Sequence, residues 1–206
     1  MPWLILILLA ALVTRIPHLV SFLSSSSETA LTYFPTLGAA RFEQCARALV
    51  DGTVAGDAFA FASPLYILIL APLYALGLTN TIIFILQTIL GVSTVFLIYS
   101  ISIKTGASKW LSSTGAVVWT LYAPSAFYEM TLLPIALLAL LISAWSLYQL
   151  KQTSTKRASL VHGFLSGIIT GLRPPFILLG VMSLWKTIRS RNYLHSVFML
   201  IGFSIP

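Results

Sequence analysis

IIFILQTILGVSTVFLIYSI, residues 82–101, runs for twenty residues without one charged side chain. At about 1.5 Å of rise per residue, a helix over this stretch is roughly 30 Å long, the thickness of a bilayer's hydrocarbon core. Other runs, such as WLILILLAALV (3–13) and PIALLALLISAW (134–145), repeat the pattern. The 206-residue chain is 58% hydrophobic and 8% charged, with a mean hydropathy of +0.94, which sets it apart from soluble domains. The expected fold class is all-α: a polytopic transmembrane helix bundle. The N-terminus has no basic stretch before its apolar run, and Arg15 interrupts that run. Residues 3–22 therefore read as a first anchor and not as a cleaved signal.

The net charge of +7 is informative through its placement. Eight of the twelve basic residues fall in three loops, 103–109, 151–157 and 186–191, and none of the five acids does. Three separated clusters between apolar runs argue against a nucleic-acid face, and by the positive-inside rule they place these loops in the cytoplasm. Parity then orders the chain. Residues 23–80 hold four acids, Glu28, Glu43, Asp51 and Asp57, and form a long external loop. The stretch SPLYILILAPLYALG (63–77) is short and carries Pro64 and Pro72, so it reads as an embedded helix of the external side. Spans follow at 81–102, 109–126 and 130–150. About twenty-eight residues separate the second and third basic loops, which forces two short helices, 158–172 and 175–187, meeting at Arg173 beside its two prolines. Residues 193–206 begin a seventh span.

Within the external loop, Phe42, Cys45, Ala46, Leu49 and Val50 form the apolar stripe of an amphipathic helix over 38–51. Arg41, Glu43, Gln44, Arg47 and Asp51 take the other face, with Glu43–Arg47 and Arg47–Asp51 as i,i+4 pairs. Such a helix either lies on the membrane surface or floors an external site. Gly163, Gly167 and Gly171 make a small-residue stripe that permits close helix packing. Arg173 inside the membrane demands an anionic partner, an external acid or a lipid phosphate. Arg15, beside Pro17, is a second such cation or one that snorkels to the surface. Glu129 lies at a membrane boundary, solvated or facing a cavity. His18, His162 and His195 have no metal spacing, Cys45 is alone, and no phosphate-loop, dinucleotide or hydrolase motif is present.

Taken in order, these features resemble the GT-C superfamily of membrane glycosyltransferases, nearest to bacterial relatives of the dolichyl-phosphate-mannose protein mannosyltransferases. The likeness covers nearly the whole chain. It rests on Arg15, PTLGAARFEQCARALVDG (35–52), GDAFAFASPLYILILAPLYALG (56–77), YAPSAFYEMTLLP (122–134) and GFLSGIITGLRPP (163–175). It implies transfer of a sugar from a polyprenyl-phosphate donor to an external acceptor, at the bacterial inner membrane. A carboxylate would act as general base, and cations would stabilise the departing phosphate. The resemblance makes Asp57 and Glu129 the catalytic candidates and assigns Arg173 and Arg15 to the lipid phosphate. No cofactor is certain, a divalent cation being the one candidate.

The first-loop pattern P-x-L-D-A-x-x-Y of such proteins is altered here. Gly38 stands where the aspartate is expected and Phe42 where the tyrosine is. Loss of a general base typically costs about 10²–10⁴-fold in rate. The resemblance also implies helices beyond residue 206, so the chain reads as a fragment, a decayed product or a module working with a partner membrane subunit. The alternative function is a non-catalytic homologue that binds lipid or scaffolds such a partner.

Overall fold

The computed structural model describes residues 2–24, 38–53, 63–150, 156–189 and 193–205, and these are helices and short turns with no strand. The chain divides into two compact units, residues 1–140 and 141–206, with the division inside one helix.

The first unit opens with α1 (Pro2–Ser24), which continues through Pro17. Then come α2 (Ala39–Val50), α3 (Pro64–Ala75) and α4 (Asn80–Lys104). After a turn at Gly106 follow α5 (Lys109–Leu121), whose first turn Ser108 caps through Leu111 N–H at 3.2 Å, and α6 (Ala123–Glu129). Ile7 and Ala11 of α1, Val95 of α4 and Ala116 of α5 form a buried core. Two turns beyond Ile7, Arg15 reaches Glu129, which lies against Gly91 of α4. Position therefore climbs along α1 as it descends along α4, and these two helices are antiparallel. The hydroxyls of Thr88, Ser93, Thr94 and Ser100 each donate to the carbonyl four residues earlier. That satisfies these four hydroxyls inside α4, so they are carried in an apolar helix without a partner from another element.

α3 doubles back along the N-terminal part of α4. Tyr74 Oη donates to Asn80 Oδ1 at 2.7 Å, and Tyr66 Oη accepts from Gln87 Nε2 at 2.9 Å. The pairs 74–80 and 66–87 mark an antiparallel hairpin. α2 packs on α3 with Phe42, Cys45 and Ala46 buried, and the Phe42 and Tyr66 rings meet edge to face at 5.2 Å. Three of the five residues of the expected stripe are thus buried; Leu49 is half-buried and Val50 exposed.

In the second unit, α7 (Ile135–Gln149), which begins in the first unit, is followed by α8 (Lys156–Leu172), a 3₁₀ turn (Pro174–Phe176), α9 (Ile177–Arg189) and α10 (Tyr193–Ser204). Arg173 is extended between α8 and the turn, at φ −149°, because a residue preceding proline is excluded from the helical region. A Cβ on Gly163 would strike the Met199 carbonyl, and one on Gly202 the Leu160 carbonyl. Bare backbone therefore brings α8 and α10 together. Trp145 Nε1 donates to Ser166 Oγ at 2.9 Å and Gln149 Nε2 to Ser183 Oγ at 2.9 Å.

Among the described residues two helices, spanning Trp3–Ser21 and Asn80–Lys104, are long and apolar enough to cross a membrane. The stretches expected at 109–126 and 130–150 are shorter than anticipated. Pro124 cannot donate to the Thr120 carbonyl, so α5 ends at Leu121 and α6 starts afresh. Met130–Pro134 form a turn, and α7 begins only at Ile135. At 13 and 15 residues, α5 and α7 are about 20 and 22 Å long.

Candidate functional site

Arg15 and Glu129 are the most deeply buried charged residues described, 1% and 2% exposed. Arg15 Nε donates to Glu129 Oε2 at 2.7 Å and Nη2 to Oε1 at 2.8 Å, a parallel two-bond fork. Its remaining Nη1 donates to the Ala11 carbonyl at 3.0 Å, one turn back on α1. The carboxylate fits because residue 91 is glycine: a Cβ there would overlap Glu129 Oε1 and its carboxyl carbon. A first-anchor cation, a glycine halfway along α4 and a carboxylate ending α6 thus form one locus.

Beside it lies a cavity of about 210 Å³. Trp119, Tyr122, Ser125, Tyr128, Glu129 and Ile135 are among its lining residues, and the Trp119 and Tyr122 rings lie 5.9 Å apart, tilted by 33°. Tyr122 and Pro124 are exposed at its rim.

The other expected site residues stand differently. Arg173 is exposed at the helix break. Asp57 lies outside the described residues. Among the described residues no group of three His, Cys, Asp or Glu side chains could hold a metal ion, and the Glu129 oxygens face a guanidinium, so the residues described offer no ligand set for a divalent cation.

Gly38 starts α2 in the left-handed conformation, at φ 74°. An L-residue is strained in that region, although aspartate tolerates it better than most. No atom of the described residues lies within 4 Å of the position a Cβ would take. Glycine is therefore suited to the backbone here, independently of the acid expected from the resemblance.

A polar cluster that the residue pattern alone did not reveal joins α2 to the α3–α4 hairpin. Glu43 Oε1 accepts from Arg47 Nε at 3.0 Å, and Glu43 Oε2 accepts from Asn80 Nδ2 at 3.0 Å. The Arg47 guanidinium lies 4.4 Å from the centre of the Tyr74 ring, and Tyr74 closes the circuit onto Asn80. Arg47 thus turns to Glu43 and Tyr74, not to Asp51. The i,i+4 spacing supplied the Glu43–Arg47 pair; the Asn80 and Tyr74 links needed the hairpin. The chain matches no family model, no curated protein and no solved structure.

Proposed function

We propose that this chain is a polytopic, GT-C-like membrane protein, and that its first unit belongs to a site transferring a sugar from a polyprenyl-phosphate donor to an external acceptor. One observation carries the proposal: Arg15 and Glu129, which the resemblance assigns to one site, are 114 residues apart in sequence and meet in a two-bond ion pair beside a cavity. The antiparallel course of α1 and α4 supports it too. An anchor leading out, a long external loop and a helix leading back require that order, with the 12-residue α3 dipping in from outside. The basic loops 103–109, 151–157 and 186–191 then face the cytoplasm of a bacterial inner membrane.

On this reading the roles separate. Both Glu129 oxygens are held by Arg15, so Glu129 is a positioning residue and Arg15 is its counter-ion. Asp57 is the acid left to take the proton from the acceptor hydroxyl. The acceptor oxygen then forms its bond to the sugar's anomeric carbon as the carbon–oxygen bond to phosphate breaks, and the resemblance assigns Arg173 to the phosphate that leaves.

The test is transfer from a radiolabelled polyprenyl-phosphate sugar by the full chain in proteoliposomes. Asp57→Asn should lower the rate by about 10²-fold or more, and Arg173→Ala should weaken donor binding. A second reading, a non-catalytic lipid-binding or scaffolding homologue, is favoured by glycine at position 38 and by the mutual neutralisation of Arg15 and Glu129. Donor binding without transfer, unrescued by Gly38→Asp, would establish that second reading instead.

A further inference from the structure

The end of the first unit farthest from Asn80 brings four side chains together that neither the core nor the ion pair uses. α1 and α4 run antiparallel, with Arg15 level with Gly91. Trp3 is twelve residues from Arg15 and Lys104 thirteen from Gly91, so at about 1.5 Å per residue both stand roughly 18–20 Å from the ion pair, on the same side. Lys109 and Trp110 open α5 just after the turn that ends α4. That turn is tightly made. Gly106 is left-handed at φ 91°, its N–H donates to the Ile103 carbonyl at 3.1 Å, and the Ala107 N–H donates to the Ser102 carbonyl at 3.1 Å. Trp3, Lys104, Lys109 and Trp110 therefore share one rim, with the two lysines held on a fixed turn.

All four side chains are exposed, and the two indoles are 73% and 79% so. Indoles this bare mark an interaction surface. Their apolar bodies and polar N–H groups suit the boundary between hydrocarbon and headgroups. On one side of the rim the surface is apolar, with Ile5 and Leu9 exposed on α1 and Leu111 and Val118 on α5. On the other side lies the basic turn. The chain has no acid between Asp57 and Glu129, and Glu129 is held by Arg15 at the distant pair, so this segment does not offset its own positive charge. An acidic protein would match the lysines and leave the apolar wall bare; a zwitterionic lipid would cover the wall and gain little from the lysines. An anionic phospholipid answers both. Taken by itself, the second unit repeats the pairing, with exposed Trp185 one turn from exposed Arg189 at the end of α9.

We propose that the rim of Trp3, Lys104, Lys109 and Trp110 docks anionic phospholipid headgroups of the cytoplasmic leaflet, with the lysines on lipid phosphate and the indoles at the headgroup–acyl boundary. The inference rests on the membrane placement proposed above and not on sugar transfer. The full chain is reconstituted into mixed vesicles of phosphatidylcholine and phosphatidylglycerol, with one or the other brominated in its acyl chains. Tryptophan quenching is compared between the wild-type chain and Trp110→Phe, and the difference belongs to Trp110. That quenching should favour phosphatidylglycerol by about fivefold or more, the effect of a single lysine near an anionic surface. The preference should fall towards parity in Lys104→Gln/Lys109→Gln, and also in the wild-type chain at high salt, which needs no variant to fold. Lys104→Arg/Lys109→Arg keeps the charge and should keep the preference. Equal quenching by the two lipids, a preference that survives loss of both lysines, or displacement of the lipid by inorganic phosphate at matched ionic strength would overturn the inference. Quenching by neither lipid, the result for a rim in water or against an acidic protein, sinks the membrane placement with it. Equal quenching beside intact sugar transfer overturns this inference alone, whereas a preference without transfer leaves it standing and sinks the transferase reading.

Discussion

Arg15 and Glu129 come from segments 114 residues apart and are both almost sealed off, whereas Glu43 and Arg47 sit one turn apart on α2 with the arginine 52% exposed. Both are arginine–glutamate contacts near 2.7–3.0 Å. Environment separates them. The exposed pair trades water contacts for contacts of nearly equal worth, and salt screens it. The buried pair has lost its hydration on both sides, so its attraction chiefly offsets a desolvation cost of several kcal/mol per ion. Removing one member leaves the other with neither water nor partner. Such a pair is weak as a source of stability and strong as a constraint, because α1, α4 and α6 can meet in few arrangements that satisfy it.

The sharpest way to break this comparison is Glu129→Ala. It should destabilise the detergent-solubilised chain by about 3–5 kcal/mol, read as a lowered midpoint of thermal unfolding. Arg15→Met combined with Glu129→Leu should recover most of that loss. A single variant as stable as the double would mean that the site is wetter than its burial indicates. Next in size, Gly91→Ala should cost about 1–3 kcal/mol through forced displacement of the carboxylate; paired with Glu129→Ala it should add almost nothing, since the group it strikes is gone. Weaker again, Arg47→Ala should cost about 1 kcal/mol or less, and the loss should shrink when unfolding is repeated at high salt. A salt-independent loss would show that its contact with the Tyr74 ring outweighs the ion pair. Smallest in stability, Arg173→Ala should stay within about 0.5 kcal/mol of wild type, so that any loss of donor binding reports on function and not on folding.

Much of the helical layout was legible because it rests on local rules. Twenty uncharged residues at 82–101 make a long helix in any apolar environment, and Arg173-Pro174-Pro175 ends one helix before another begins. The 3.6-residue period found α2 and its buried Phe42, Cys45 and Ala46. The cover over that stripe was harder to foresee. A stripe that lies on lipid and one that lies on another helix are written with the same residues, and here the α3 helix provides part of the cover. The early end of α5 at Leu121 was obscured because the apolar run continues past the residue where Pro124 withdraws its donor.

Glu129 shows the same division at the candidate site. Its sequence neighbours left two environments open, water or a cavity. Arg15 likewise had either to snorkel or to find an anion. Each ambiguity resolves the other, but only once α1 and α6 are placed beside Gly91.

By itself, the sequence determined composition, helical periodicity, proline breaks and the placement of basic loops, because these depend on each residue's own chemistry or on neighbours within a turn or two. Tertiary structure alone decided that Arg15 answers Glu129, that Gly91 makes room for the carboxylate, and that Glu43 fastens α2 to Asn80. Charge pairing and close packing are properties of distance in space, and a linear order of residues does not contain those distances.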